Sequence, residues 1–247
     1  MTPAPDRADR PPRPLTDYPR PSVAVDTALL TIVDGSLGVL VVRPANEPRG
    51  EWRLPGTFLH EGETLADAVR RSLAQKAGIH GIEPRQLHVF DDPARDDRGW
   101  VLSVAHAAAT PAERIPAEPR TRVAAVDRLG ELSPMKFDHD DIVRTAIARI
   151  RDDYAVRPDP WHLLRPGSGD ADETEATTRT GAAGGADAAA EPAGSFTVLE
   201  LRTLHEAVLG RPLVRDTFRR AMLPHLEPTG RVRRGTRGKP AELYLRA

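Results

Sequence analysis

The chain has 247 residues and a net charge of −1, so it is long enough for one large or two small domains and has no overall bias toward an anionic partner. It contains no cysteines, which excludes disulfides, thiolate metal sites and a cysteine nucleophile and fits a cytoplasmic protein. No apolar run approaches the roughly 20 residues that span a bilayer, and the N-terminus lacks the apolar segment of a secretory signal.

Strand signals dominate the first part of the chain. Residues 1–21 are rich in proline and have almost no apolar periodicity, which predicts a disordered tail. Residues 23–43 are largely apolar on both sides of Asp34 and Gly35, a pair that favours a tight hairpin turn. The pattern therefore predicts two strands joined at this turn.

A helix is predicted after a glycine-containing loop. The loop extends from Leu54 to Glu63, and Thr64 is placed to cap a helix that runs to about Lys76. Gly78 stands where a helix ends in the left-handed conformation. Further along, the sequence predicts strands at 86–90, 100–109 and 122–126 and a helix from Asp138 to Asp152.

The composition changes twice in the last third of the chain. Residues 166–194 lack aromatic residues and almost lack bulky aliphatic ones, which predicts a flexible linker because such a segment buries too little apolar area to offset its ordering entropy. Beyond it we predict a helix at 198–209, a second helix at 213–222 and two short strands around a Gly/Arg-rich turn. This is the order of a winged helix-turn-helix, and it divides the chain into domains at 22–165 and 195–247.

Residues 56–79, GTFLHEGETLADAVRRSLAQKAGI, resemble the Nudix box, G-x(5)-E-x(7)-REUxEExGU with U apolar. In that box three glutamates on one helix face hold Mg²⁺, which assists attack of water on a diphosphate. Here their positions hold Ser72, Gln75 and Lys76, so we expect neither a metal site nor catalytic residues in the box. The resemblance implies a structural role for the residues of the frame that remain: Gly56, Gly62, Glu63, Arg71 and Gly78, with Glu63 and Arg71 paired.

The resemblance also implies a ligand cleft. Nudix proteins that handle ADP-ribose-like ligands use arginines for the diphosphate and aromatic or apolar surface for the base. Arg43, Arg53 and Phe58 occupy positions that face the cleft in the resembled family, and Lys76 is placed to replace the positive charge of the metal. The alternatives are surface positions for the three cations and a core position for Phe58.

The C-terminal residues are strongly basic. From Ser195 to Ala247 there are 11 Lys and Arg against five Asp and Glu, a difference of +6, which leaves −7 for the rest of the chain. This asymmetry is typical of a DNA-binding domain attached to an acidic domain. We expect DNA contacts from Arg215, Thr217, Arg219 and Arg220 on the second helix and from Arg231, Arg233, Arg234, Arg237 and Lys239 in the wing, with at most one of Arg219 and Arg220 reading a base.

Together the two halves resemble the NrtR family of Nudix-related transcriptional regulators. Besides the box, the segment KFDHDDIVRTAI and the run from Phe196 to Ala247 carry the resemblance. It implies an α-β-α sandwich of the Nudix fold followed by a small winged helix-turn-helix. It also implies a homodimeric repressor that needs no cofactor, senses ADP-ribose or a related nucleotide and binds a palindromic operator at genes of NAD metabolism.

Some alternatives remain open at this point. The family has branches directed at sugar catabolism, so the effector and the regulated genes transfer less safely than the fold. The long linker departs from the tighter connection expected in the family and argues against rigid coupling of the domains. The other functional alternative is a Nudix hydrolase with a nucleic-acid-binding appendage. Such an enzyme would use carboxylates other than the lost ones: Glu61, Glu63, Asp91 and Asp92.

Overall fold

The protein, described by a computed structural model, consists of a sheet-based domain and a C-terminal winged helix packed onto it. None of the described helices is long and apolar enough to cross a membrane. The predicted tail and linker fall mostly outside the described residues, although residues 13–20 are exposed. The described residues are 13–44, 51–132, 134–164, 191–234 and 240–247.

The predicted hairpin is confirmed and forms the centre of a six-stranded sheet. Strands β1 (Ser22–Val33) and β2 (Ser36–Val42) are antiparallel, and both turn residues between them have positive φ, 49° at Asp34 and 72° at Gly35. The strand order is β4-β5-β1-β2-β6, and β3 pairs with β1 off this path. The remaining strands are β3 (Gly56–Phe58), β4 (Arg85–Phe90), β5 (Val101–Ala109) and β6 (Thr121–Ala125).

Alternate residues of β1 pack into two apolar cores, one on each face of the sheet. Val25 and Leu29 contact the apolar side of helix α1 (Leu65–Ala77), whereas Ala28 and Leu30 face helix α2 (His139–Val156). Helices therefore cover both faces of the sheet, as expected for the α-β-α sandwich.

The loop that was predicted from Leu54 to Glu63 contains the short strand β3, which the sequence analysis missed. Thr57 stands at the opening position of the box, where the pattern has glycine, and it is accommodated as a strand residue that pairs with Val25 of β1. Helix α1 begins as predicted, because Thr64 and Asp67 form a capping box, and it ends at Gly78 with φ 64°.

The winged helix is confirmed, with shifted boundaries. Helix α3 (Val198–Leu209) starts at the Thr197 cap and ends at Gly210, as predicted. Helix α4 is Arg215–Met222, so its predicted start at Leu213 was wrong by two residues; Val214 is the N-cap. The three-stranded sheet of this domain has the order β7-β9-β8 and consists of β7 (Phe196–Thr197), β8 (Leu226–Arg233) and β9 (Ala241–Arg246).

The two domains share a core, contrary to the loose coupling that the linker suggested. Leu204 and Val208 of α3 belong to the same apolar cluster as α2 and one face of the large sheet. The His205 ring lies between two aromatic rings, with centroids 4.9 Å from Tyr154 of α2 and 5.0 Å from Phe218 of α4. Packing between the described residues, and not the linker, therefore fixes the relative position of the two domains.

A buried carboxylate completes the contact between the domains. Asp159 is fully buried and accepts hydrogen bonds from Tyr154 Oη at 2.5 Å and from the backbone N–H of Leu163 at 2.7 Å. It also forms an ion pair with Arg246, the last residue of β9. The end of the chain is thereby attached to the segment that follows α2.

Candidate functional site

A cleft of about 240 Å³ opens where β1, β3 and the start of α2 meet the loop between β4 and β5. Arg53, Phe58 and Lys76, three of the four predicted ligand residues, line this cleft. Phe58 is 39% exposed, which contradicts a core position for its ring. The full lining is Ala24, Asp26, Arg53, Leu54, Gly56, Thr57, Phe58, Lys76, Arg95, Asp96, Arg98, Val101, Phe137 and His139.

Arg43 lies outside this cleft. Its guanidinium stacks on Trp52, 4.1 Å from the ring centroid. It lines a neighbouring pocket of about 280 Å³ together with Gln75 and Arg120, and this pocket shares Arg53 and Lys76 with the cleft. Of the two arginines predicted to face one ligand, Arg53 therefore borders both spaces, whereas Arg43 borders only the neighbouring pocket.

A buried network of polar side chains forms the floor of the cleft. Asp26 is 7% exposed and accepts a hydrogen bond from Ser103 Oγ at 2.6 Å. Arg95 lies 3.4 Å from the same carboxylate and binds both oxygens of Asp138, at 2.8 and 2.6 Å. His139 Nδ1 accepts a hydrogen bond from Leu54 N, so the ring carries its proton on Nε2, which lies 3.3 Å from Asp26.

The partners of Asp26 keep it ionised. Burial raises the pKa of Asp26, but His139, Ser103 and Arg95 together outweigh burial and lower the pKa to about 2. Gly56 is packed directly against this carboxylate: a Cβ there would collide with Asp26 Oδ1 and with Val25 O. The absence of a side chain at Gly56 thus allows β3 to approach β1 closely enough to form one wall of the cleft.

Glu63 and Arg71, two of the residues that remain from the frame of the box, are paired in the structure. Glu63 accepts two hydrogen bonds from Arg71, at 2.7 and 2.8 Å. These bonds and the positive charge of Arg71 lower the pKa of Glu63 to about 2. Arg71 also donates to Thr57 Oγ1 and to Phe58 O, which fixes β3 against α1. Gly62 has φ 77°, a left-handed conformation that favours glycine in the loop before the helix.

The three positions that hold metal in the resembled box do not fit Mg²⁺ here. Ser72 is fully buried and its Oγ has no hydrogen-bond partner, and Gln75 is exposed outside the cleft. Among the described residues, no cluster of three His, Cys, Asp or Glu side chains is arranged to hold a metal ion. Glu61, Asp91 and Asp92 do not line the cleft either.

Lys76 brings positive charge into the cleft. The residue as a whole is exposed, but its ammonium turns inward and donates to Gly56 O. Partial burial of the ammonium and the nearby Arg53 and Arg71 lower its pKa, while Asp26 opposes them. A lysine thus contacts a backbone oxygen at the edge of the cleft and adds a positive charge there.

Two aromatic rings stand at the mouth of the cleft. The Arg98 guanidinium lies 5.5 Å from the ring centroids of both Phe58 and Phe137. Arg98 is held by Asp96, with hydrogen bonds of 2.8 and 2.6 Å. Planar aromatic and guanidinium surfaces of this kind are suited to stacking on a nucleobase.

The predicted DNA-contacting residues of α4 lie on its exposed face. Phe218 and Met222 are buried in the core of the winged helix, and Arg215, Thr217, Arg219 and Arg220 are all exposed. On an α-helix, Arg220 stands roughly 160° from both buried residues, whereas Arg219 is only about 60–100° from them. Arg220 therefore points most directly away from the domain.

One of the predicted DNA-contacting arginines of the wing is bound by carboxylates. Arg233 forms hydrogen bonds of 2.7 and 2.6 Å with Glu191 and a further one with Glu200 at 2.5 Å, and its pKa is raised accordingly. The structure thus gives Arg233 a structural partner at the end of the linker. Arg231 and Arg234 are exposed, whereas Arg237 and Lys239 lie outside the described residues.

Sequence reasoning missed several residues of the cleft, among them Asp26, Arg95, Phe137 and His139. Asp26 was missed because it stands within an apolar strand pattern. Arg95 was missed because it belongs to a highly charged loop, and most loops of this kind are simply exposed to solvent. Phe137 and His139 belong to the segment KFDHDDI, which carried the family resemblance but was not assigned to the ligand. That segment was the signal that could have identified Phe137 and His139.

Comparisons with known proteins identify both the sheet-based domain and the C-terminal winged helix. The NUDIX domain model matches residues 23–146, which is 124 of the 247 residues, and the model of the NrtR DNA-binding winged helix domain matches residues 193–245. The chain is 26% identical to the ADPR responsive transcriptional repressor NtrR of Acinetobacter baylyi over 238 residues, which cover 93% of this chain and 83% of that protein.

A shorter relative and a solved structure extend these findings. The ADP-ribose pyrophosphatase of Methanocaldococcus jannaschii is 30% identical over 128 residues, 51% of this chain and 73% of that enzyme. The crystal structure of Shewanella oneidensis NrtR complexed with a 27mer DNA superposes with a TM-score of 0.69 at 27% identity, covering 91% of this chain and 93% of the other.

Proposed function

This chain belongs to the NUDIX domain family and carries an NrtR DNA-binding winged helix domain, and we propose that it is a transcriptional repressor that responds to ADP-ribose or a closely related NAD-derived nucleotide. The observation that carries the proposal is the likeness, over nearly the whole chain, to an ADPR responsive repressor and to a DNA-bound NrtR.

The cleft supports an anionic nucleotide as the effector. Arg53, Lys76 and Arg95 bring positive charge to its walls, as binding of a diphosphate requires. Phe58 and Phe137 add aromatic surface at its mouth, which suits the base of the same ligand. Arg43 extends the positive surface into the adjoining pocket.

The replaced box supports regulation rather than hydrolysis. An Mg²⁺-dependent diphosphate hydrolase needs a set of carboxylates converging on the metal, and the positions that would supply it hold Ser72, Gln75 and Lys76. Glu63 is engaged by Arg71, which leaves it in a structural role. The protein therefore binds its nucleotide without cutting it and requires no metal or other cofactor.

The winged helix supplies the DNA contacts. Exposed cations on α4 enter the major groove, and those of the wing contact phosphates. A homodimer would present two such helices to the half-sites of a palindromic operator in the cytoplasm, at genes of NAD biosynthesis or salvage. The ligand weakens operator binding only as far as its affinities for the free and DNA-bound forms differ.

The test is fluorescence anisotropy on a labelled duplex that the wild-type protein enriches from random sequence, at fixed salt, with and without ADP-ribose. We expect specific binding that ADP-ribose releases. Specific binding that ignores ADP-ribose would contradict the effector and favour another nucleotide or a sugar, and the absence of specific binding in every ligand state would contradict the repressor.

The hydrolase alternative has its own measurement. Incubation with ADP-ribose and Mg²⁺ should release no AMP above the rate of a sample without protein. Mg²⁺-dependent release that disappears in Glu63→Gln would mean that the domain is an enzyme and that carboxylates outside the replaced positions hold the metal.

A further inference from the structure

The carboxylate of Asp138 stands between two alternative sets of partners. Asp138 is the N-cap of α2, a position where an aspartate normally accepts a hydrogen bond from the first helical turn. Here its side chain makes no capping hydrogen bond, because both oxygens are bound by Arg95 across the floor of the cleft. Helix α2 therefore begins without its side-chain cap while Arg95 holds Asp138.

The backbone around Asp138 is adapted to this unusual arrangement. Asp138 has φ −94° and ψ 24°, instead of the extended conformation that a capping residue usually adopts. The preceding Phe137 has φ 60°, a left-handed conformation that is rare and strained for a bulky residue. Strain at this point is consistent with a segment that has a second, relaxed conformation in which Asp138 caps the helix.

Arg95 is the group for which an anionic ligand would compete. Its side chain is 3% exposed, lines the cleft and is shared between Asp26 and Asp138. Asp26 keeps a second partner in Ser103, whereas the described contacts of the Asp138 carboxylate are to Arg95. A diphosphate that enters the cleft can bind the guanidinium of Arg95. Of the two carboxylates that hold this guanidinium, Asp138 is the one that the diphosphate replaces more easily.

Helix α2 connects this point with the DNA-binding domain. It has 18 residues, so it spans about 27 Å from the cleft to the contact between the domains. Near its other end Arg151 donates to Val208 O at 3.1 Å, and Tyr154 packs on His205. A change at the first turn of α2 therefore reaches the helix on which the winged helix is built.

We propose that Arg95 is an additional ligand-binding residue: the anionic group of the ligand takes Arg95 from Asp138, and Asp138 then turns to cap α2. This exchange deepens the proposed function and rests on it for the identity of the ligand, a nucleoside diphosphate. It gives the cleft two discrete states, one in which Asp138 holds Arg95 and one in which it caps α2, and α2 transmits the difference to the winged helix.

Asp138→Asn separates the two partners, because an amide caps a helix well but binds a guanidinium more weakly than a carboxylate does. We expect this variant to resemble the ligand-bound state. Its affinity for the enriched duplex, measured by anisotropy without any ligand, should fall about tenfold, and its affinity for ADP-ribose, measured by calorimetry, should rise about tenfold. The matched control is Asp141→Asn, the same change in the same helical turn at an exposed residue paired with Arg144.

A second variant tests Arg95 directly without leaving a carboxylate unpaired at α2. In the double variant Arg95→Met with Asp138→Asn, affinity for ADP-ribose should fall at least tenfold below that of Asp138→Asn alone, because a charge-assisted hydrogen bond to the ligand is lost. Arg70→Met, a change of an exposed arginine on α1 paired with Asp67 and Glu83, should leave that affinity unchanged.

The outcomes distinguish this inference from the proposed function. Unchanged duplex binding in Asp138→Asn, or a double variant that binds ADP-ribose as tightly as Asp138→Asn alone, would overturn the exchange. Weakened ligand-free duplex binding in Asp138→Asn, combined with a wild-type protein that ignores ADP-ribose, would support the exchange and overturn the proposed effector. Thermal unfolding of each variant verifies that it is folded at the temperature of the measurement.

Discussion

The cleft and the winged helix both depend on arginines, but they hold them in opposite ways. Arg95 in the cleft is almost completely enclosed and bound by two carboxylates, whereas Arg219 and Arg220 on α4 are exposed. Enclosed charge is fixed in direction, so it suits recognition of one small anion. Exposed charge is screened by salt and displaces counterions, so it suits the extended phosphate backbone of DNA. This difference matches the two partners that we propose for the chain, a small anion and DNA.

Acid should affect the contact between the domains before it affects the cleft. Burial lowers the pKa of His205 from 6.5 to about 4. Between these two pH values the unfolded chain binds a proton that the folded protein does not bind. The free energy of unfolding is therefore lost as the pH falls from about 6.5 toward 4. The loss amounts to roughly 3 kcal/mol over this window. Asp26 and Glu63, with pKa values of about 2, lose their contributions only at more acidic pH.

The check is the free energy of unfolding in urea as a function of pH, for wild type and for His205→Phe. The phenylalanine keeps a ring between Tyr154 and Phe218 but cannot be protonated. Most of the decline between pH 6.5 and 4 should therefore disappear in the variant. An equal decline in both proteins would show that other groups dominate.

Gly56→Ala should disrupt the cleft and leave the winged helix intact. The added methyl group collides with Asp26 and with a backbone oxygen of β1, which should lower the free energy of unfolding by about 2 kcal/mol and abolish nucleotide binding. Gly130→Ala is the control, since a Cβ there meets nothing within 4 Å. Calorimetry with ADP-ribose measures the loss, and duplex binding should persist. Normal ligand affinity in Gly56→Ala would place the ligand elsewhere.

The two adjacent arginines of α4 should differ in what they recognise. Arg220 points away from the domain, so Arg220→Ala should cost about 1–3 kcal/mol of duplex binding and relax the preference at one base position. Arg219→Ala should weaken all sequences alike and reduce the salt dependence by about one counterion. Competition with single-base variants of the duplex separates these effects, and neither change should alter ADP-ribose binding. Loss of ligand binding in either variant would contradict the division of labour between the domains.

The smallest effect is expected at the wing. Arg233→Ala should leave the salt dependence of duplex binding nearly unchanged, because its guanidinium is already bound by Glu191 and Glu200. Arg234→Ala, a change of the exposed neighbouring arginine, should lower the slope of log affinity against log salt by about one. Equal slopes in these two variants would mean that DNA displaces the two glutamates from Arg233.

Local signals allowed much of this structure to be predicted. The hairpin at Asp34 and Gly35, the cap at Thr64 and the ends of helices at Gly78 and Gly210 all depend on backbone preferences of a few neighbouring residues. Short strands were harder, since β3 exists only through its pairing with β1. The predicted start of α4 was wrong because a proline, here Pro212, is common at the first position of a helix, and Leu213 is a residue that favours helices. Both residues nevertheless precede the N-cap Val214.

The sequence by itself determined the family frame, the loss of carboxylates at Ser72, Gln75 and Lys76, and the basic character of the last domain. Only the tertiary structure decided which charges meet. Arg95 and Asp138 are 43 residues apart in sequence, and Asp159 and Arg246 are 87 apart. Such contacts depend on the packing of the sheet, α2 and the winged helix around shared cores, and no local pattern encodes them because the pairing energy appears only after the chain has folded.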